Sequence, residues 1–324
     1  MTETAVPILD LHPPAADIAE EVAAGLAGDP PSLPCKLFYD AAGSDLFNQI
    51  TQQPEYYPTR SETEVLTAIG PALRERFADG DVTVVEFGSG STEKIKILLD
   101  DDAGLDIGGY VPVDISRWYL EHAVAELGEA YPRLVVRPVL ADYNQPVPLP
   151  EGLPDGPKLG FFPGGTIGNF THGEARDFLA RVAATLGPGG RLLVGVDLKK
   201  DPAVLHAAYN DAAGVTAAFN LNLIDRLNAE LGLALDRDAW SHYAPYVPSR
   251  GRIEMYLVAL RDQRAQLNGH SVDLPRGTAI HTESSHKYTR REFAKLAASA
   301  GFAVEQVWTD AAERFSVQLL RAGR

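Results

Sequence analysis

Hydrophobic residues fall along this chain in two alternating rhythms. Short apolar runs, "VTVVEFG", "GYVPVD", "RLVVRPVLAD", "KLGFFPGG" and "GPGGRLLVGVDL", read as strands. Helical spacing fills the intervals. "STEKIKILLD" puts Ile95, Leu98 and Leu99 on one side, and "SRWYLEHAVAELGEAYP" does so with Leu120, Ala123, Val124 and Leu127. "GEARDFLARVAATLG" faces Phe178, Leu179, Val182 and Leu186 inward. Near-continuous Val/Ile/Leu strands separated by amphipathic helices predict a parallel sheet covered on both faces.

Outside this region the rhythm changes. Ile18, Val22 and Leu26 predict a helix ended by Gly28 and the prolines after it. "KLFYDAAGSDLFNQITQQPEYYPTR" is a helix-and-turn segment dense in aromatics. A fresh helix is expected from Ser61, with Glu64 at the far end of a capping box. From Asp201 a long helical region is broken near Gly214, and "RIEMYLVAL" and "GTAIHTESSHKYT" follow as strands with no helix between them. "REFAKLAASAGFAVEQVWTD" and "RFSVQLL" then resume with a helix and two strands. The expected organisation is α/β, with a core over 61–197 and 286–324 and a second lobe from 1–60 and 198–285.

Composition narrows the function. A length of 324 residues fits two domains, and a net charge of −15 argues against a broad nucleic-acid surface. The single cysteine, Cys35, excludes an internal disulfide framework and a Cys-rich zinc site. There is neither a signal-peptide pattern nor an apolar run of about 18 residues, so a cytoplasmic protein without a membrane partner is expected.

The sharpest local signal is "VVEFGSGSTEK". A strand runs into Gly88 and Gly90 and then into a helix, where the missing Cβ atoms let a ligand approach the backbone. A dinucleotide fingerprint would place a third glycine at position 93, which is Glu93. The E-x-G-x-G run from Glu86 to Gly90 instead resembles class I S-adenosylmethionine (SAM) methyltransferases. Asp114 closes the next strand, where a carboxylate suits ribose hydroxyls, and Asp142 follows at the next strand end, suited to an adenine amino group. "LGPGGRLLVG" resembles the fifth-strand motif of the same enzymes.

In "AIHTESSHKYT", His281, Glu283 and His286 raise the question of a metal. Strand alternation puts His281, Glu283 and Ser285 on one face and Thr282, Ser284 and His286 on the other. The histidines then point apart, and no metal is expected.

"FYDAAGSDLFNQITQQPEYYPTR", "FFPGGTIGNF", "AYNDAAGVTAAFN", "RIEMYL" and "TESSHKY" together resemble the L-histidine Nα-methyltransferases of ergothioneine biosynthesis, from about Ser32 to the end. The resemblance implies a class I, Rossmann-like methyltransferase core with a second, substrate-binding lobe. It implies SAM as cofactor, S-adenosylhomocysteine as its product, and trimethylation of free histidine to hercynine. Tyr39, Gly88, Lys94, Asp114, Asp142 and Tyr143 fall on cofactor positions, with Lys94 pairing with the cofactor carboxylate. Tyr56, Gly164, Asn169, Tyr209, Met255, Glu283 and Ser285 fall on substrate positions. Asn169 and Tyr209 would hold the amino and carboxylate end, and Tyr56, Glu283 and Ser285 would address the imidazole with Met255 packed against it. Gly165 stands where serine is expected, and His286 where cysteine or another residue is usual. No nucleophile is assigned. The expected partner is an amino acid, without nucleic acid, and the expected state is a monomer.

Each of these residues alone has a plainer reading. Tyr56 and Tyr209 can be packing residues, Met255 strand core, and Asn169 the cap of the following helix. Rival functions are the same reaction on tryptophan, a nicotinamide oxidoreductase, and a binding lobe without catalysis.

Overall fold

Every residue of the strand Val82–Phe87 is buried, which is why its sequence shows no polar alternation. The computed structural model describes residues 6–11, 18–78, 80–100, 105–267 and 270–323, and the chain divides into two units. The first holds β1 (Leu9–Asp10), β2 (Val82–Phe87), β3 (Ile107–Asp114), β4 (Val135–Val136), β5 (Val139–Leu140), β6 (Lys158–Phe162) and β7 (Arg191–Asp197). The second holds β8 (Trp240–Tyr243), β9 (Tyr246–Val247), β10 (Arg252–Ala259), β11 (Gln263–Leu267), β12 (His270–Leu274) and β13 (Ala279–His286). The chain then returns to the first with β14 (Phe302–Thr309) and β15 (Phe315–Ala322).

The first unit's sheet has the order β1-β5-β3-β2-β6-β7-β15-β14, with β4 beside β3. Its pairs are parallel up to β7, and β15 runs antiparallel to both neighbours. The helices Glu93–Leu99, Arg117–Ala130 and His172–Leu186 bury the stripes that their spacing predicts, except that Val124 stays partly exposed. The chain leaves β2 toward β3 and later returns on its other side as β6. The carboxyl end of β2 is therefore the switch point of this Rossmann-like α/β fold, the place where such sheets bind ligands.

Three expectations are corrected here. Residues 9–11 pair with the core sheet rather than with the second lobe: the Leu9 and Leu11 N–H groups donate to the Pro138 and Leu140 carbonyls at 3.0 and 2.9 Å. "RLVVRPVLAD" is two short strands, because Pro138 lies between them and has no N–H for a ladder. The helix expected from Ser61 begins at Tyr57 and runs to Arg76, with Pro58 in its first turn, where a missing N–H is harmless. Ser61 there donates to Asp310 at 3.1 Å, and Glu64 accepts the Ala311 N–H at 2.9 Å, so neither closes a capping box.

In the second unit, β13, β10 and β8 form an antiparallel sheet with β9 also on β10, and β11 and β12 form a hairpin. The helices Pro202–Tyr209 and Val215–Leu231 are separated at Gly214, as expected. The core switches back on at Tyr288, not at 286, since the Lys287 N–H is still bonded to the Gly251 carbonyl at 2.8 Å. Between β10 and β13, Met255 faces Glu283 but Tyr256 faces His281, which leaves Thr282 as the extra residue of a β-bulge. Among the described residues no helix is long and apolar enough to cross a membrane.

Candidate active site

β2 delivers the chain to Gly88 and Gly90, whose φ values of 71° and 47° strain any L side chain. A Cβ on Gly88 would also lie 3.1 Å from the Tyr143 ring. The loop hangs from the neighbouring strand, with the Gly88 and Ser89 N–H groups donating to the Val113 carbonyl at 2.8 and 3.2 Å. Asp114 fastens the rest: its two oxygens accept the Gly90 N–H at 2.9 Å and the Ser116 N–H at 2.8 Å. Burial pushes the Asp114 carboxyl up, and these bonds with that from Ile115 oppose the shift. Asp142 accepts the Asn144 N–H at 2.8 Å. Beneath the loop, burial pushes Glu86 up to about 8, against the 2.6 Å hydrogen bond it accepts from Tyr110.

Lys94 lies in the helix opened by this loop, and its ammonium is 2.6 Å from Glu62. Both Glu62 oxygens accept the Gly164 N–H, at 2.8 and 2.9 Å, and Glu62 is 1% exposed. Gly164 has φ 85°, and a Cβ there would come within 3.2 Å of the Lys94 nitrogen. Gly165 has φ 69° and lies against Phe315, a backbone that suits glycine better than the serine expected. Asn169 ends the turn Thr166–Asn169, and the next helix is capped by Thr171 in a capping box with Glu174. Capping therefore does not account for Asn169. Glu62→Gln removes the charge paired with Lys94 and, whichever way the amide turns, sets its NH₂ against the Gly164 N–H. Unfolding by denaturant is expected to show a loss of about 1–3 kcal/mol, and an unchanged midpoint would mean the triad contributes nothing.

The other candidates lie in the second unit. Tyr39 is 46% exposed and edge-on to Phe47 and Phe219. Tyr56 meets Tyr209 edge-on at 6.5 Å. The Tyr209 hydroxyl donates to Ser285 Oγ at 2.8 Å, and Lys287 Nζ donates to both oxygens, at 3.0 and 2.8 Å. The same ammonium sits 4.8 Å from the centre of the Tyr209 ring. Met255 directly opposes Glu283 and Ile253 opposes Ser285, so these four side chains share one sheet face. Burial pushes Glu283 up to about 7, with Lys287 pulling the other way. His242 orders the end of the helix that carries Tyr209: its Nε2 is 2.9 Å from the Tyr209 carbonyl and its Nδ1 2.9 Å from the Asn220 amide nitrogen. Burial lowers its pKa, so the neutral ring donates through Nε2 and accepts through Nδ1.

The bulge corrects the simple alternation along β13. His281 faces Tyr256, so it lies on the opposite face from Glu283, with Nε2 2.9 Å from Ser284 Oγ. His286, opposite Arg252, is on that same far face, so the two histidines do not point apart. Among the described residues no three His, Cys, Asp or Glu side chains are grouped as metal ligands.

Glu62, His242 and Lys287 were not singled out from sequence. Two of them had signals. Glu62 is in register with the buried helical stripe Leu66, Ile69 and Leu73, where a carboxylate is out of place unless paired. Lys287 continues the period of two through Glu283 and Ser285. His242 had none.

The family described as histidine-specific methyltransferase, SAM-dependent, matches residues 18–322. The chain belongs to this family. It is 40% identical over 306 residues to a histidine N-alpha-methyltransferase of Mycolicibacterium smegmatis, covering 93% of this chain and 94% of that one. It is 39% identical over 311 residues to a protein of the same name from Mycobacterium tuberculosis, with the same coverage. An L-tryptophan methyltransferase of Psilocybe serbica is 26% identical over 317 residues, covering 90% of this chain and 88% of that one. The first unit of this methyltransferase fits SAM. Two glycines clear the backbone at the switch point, and Ser89 Oγ is buried there without a hydrogen-bond partner.

Proposed function

We propose that this enzyme transfers methyl groups from SAM to the α-amine of free L-histidine, three times over, to give hercynine in ergothioneine biosynthesis. The observation that carries this reading is the face shared by Met255, Glu283 and Ser285. It offers an apolar wall, a half-buried carboxylate and a hydroxyl, the set an imidazole needs. Tryptophan is the second reading. An indole has one N–H and no ring acceptor, so it would leave Ser285 unanswered. The similarity to the named tryptophan enzyme is also lower, 26% against 40%.

SAM supplies an electrophilic methyl group: a C–N bond forms as the S–C bond breaks, and the amine loses a proton. The residues bind and orient. Gly88 lets the ligand reach the backbone, Asp114 takes the ribose, Asp142 the adenine edge, and Lys94 the carboxylate, with Tyr39 and Tyr143 as aromatic walls. Gly164, Asn169 and Tyr209 hold the amino and carboxylate end, and Tyr56 joins Glu283 and Ser285 at the imidazole. Positioning of this kind removes much of the barrier to a displacement between two bound molecules. Aromatic rings and an amide oxygen also tolerate the fixed cation that the third transfer leaves. The reading needs no metal, nucleic acid or membrane and takes the enzyme as a cytoplasmic monomer.

Mass spectrometry of the protein incubated with SAM and a mixture of the common amino acids tests it. Histidine should gain one, two and then three CH₂ units while the others stay unmodified. Methylation of tryptophan in place of histidine would overturn the assignment.

A further inference from the structure

Lys287 is 2% exposed, and its ammonium donates to Ser285 Oγ at 2.8 Å and to the Tyr209 hydroxyl at 3.0 Å. Tyr209 in turn gives its proton to Ser285 at 2.8 Å. A hydroxyl oxygen has two acceptor sites and one proton. With both acceptor sites of Ser285 filled, its own proton is all that it can offer. The lysine bond runs one way only, because an ammonium has three donors and no acceptor. Two residues away on the same face, Glu283 presents carboxylate oxygens.

We propose that Lys287 is a positioning residue that makes Ser285 an obligate donor, so that the Glu283–Ser285 pair accepts the neutral imidazole and rejects imidazolium. The proposal rests on the reading above, in which these two residues address the substrate ring. A neutral imidazole has one N–H, for Glu283, and one bare nitrogen, for Ser285. An imidazolium has two N–H groups, and the second meets the Ser285 proton. Among the described residues, the charged groups on this face are Glu283 from β13 and Lys287 just after it, beside the phenol of Tyr209 from the helix Pro202–Tyr209. β10 contributes the apolar Ile253 and Met255. Lys199 packs on Gly251, whose carbonyl takes the Lys287 N–H.

Calorimetric binding of histidine to the S-adenosylhomocysteine complex, from about pH 8 down to about 5.5, tests this. Affinity should fall about tenfold per unit below the imidazole pKa of about 6.5. Triazolylalanine, an analogue whose ring stays neutral over this range, should bind with a flat profile. That comparison uses the unmodified enzyme and separates protonation of the ligand from protonation of Glu283. Lys287→Met returns an acceptor site to Ser285 and should flatten the histidine profile, whereas Lys287→Arg should keep its slope. A triazolylalanine profile as steep as that of histidine, or an unchanged slope in a Lys287→Met protein that still binds S-adenosylhomocysteine, overturns the proposal. If the unmodified enzyme binds S-adenosylhomocysteine but no histidine at pH 8, it is the substrate reading that fails, and the role of Lys287 with it.

Discussion

Glu283→Ala is expected to lower kcat/KM for histidine about 10- to 150-fold, the equivalent of the about 1.5–3 kcal/mol that a hydrogen bond to a charged group contributes. Glu283 is half-buried, and Lys287 beside it pulls its pKa down against the effect of burial. Removing the carboxylate leaves the substrate N–H without an acceptor and leaves the lysine's positive charge beside the ring. Both effects oppose binding. Glu283→Gln keeps an acceptor oxygen and should lose less. Because Met255 directly opposes Glu283, adding Met255→Val to the alanine variant widens the same face. Activity on tryptophan should then rise relative to histidine, since a larger apolar ring fills the space and needs no second polar partner. Parallel kcat/KM measurements on the two amino acids check this, with S-adenosylhomocysteine affinity as the control for folding. Unchanged histidine kinetics would remove Glu283 from the substrate site.

The first unit was legible because its central strands β2, β3, β6 and β7 are buried along nearly their whole length and the helices between them on one side, so the apolar periods carry the topology directly. Gly88, Asp114 and Asp142 follow from that topology, since they come at strand ends near the switch point. Features set by a partner far away in sequence were not legible. Ser61 and Glu64 have the spacing of a capping box, yet residues 310 and 311 claim both side chains. The face on which His281 lies depends on a bulge that is defined only by the register of β10 against β13. Glu62 stands in register with a buried helical stripe, but its partners Gly164 and Lys94 come from distant parts of the chain and are not legible from that stripe. Local pattern therefore indicates where a ligand-binding loop begins, while the polarity of each side chain around it comes from tertiary pairing.

Asp114→Asn should weaken S-adenosylhomocysteine binding about 10- to 100-fold, and the reason lies in the two-sided use of this carboxylate. One oxygen accepts the Gly90 N–H and the other the Ser116 N–H, at 2.9 and 2.8 Å. An asparagine has one acceptor oxygen, so whichever way it turns, its NH₂ group meets a backbone N–H. A buried donor left without a partner costs about 1–3 kcal/mol, and it falls on the loop that has to lie against the cofactor. The same substitution removes one of the charged acceptors available to the ribose hydroxyls. Both losses act on binding and neither touches the transferred methyl group. KM for SAM should therefore rise by a similar factor, while kcat at saturating SAM changes little. Calorimetry with S-adenosylhomocysteine and steady-state kinetics in SAM measure the two quantities separately. An affinity within about twofold of the unmodified enzyme, far less than one such hydrogen bond is worth, would mean that the loop is held without Asp114.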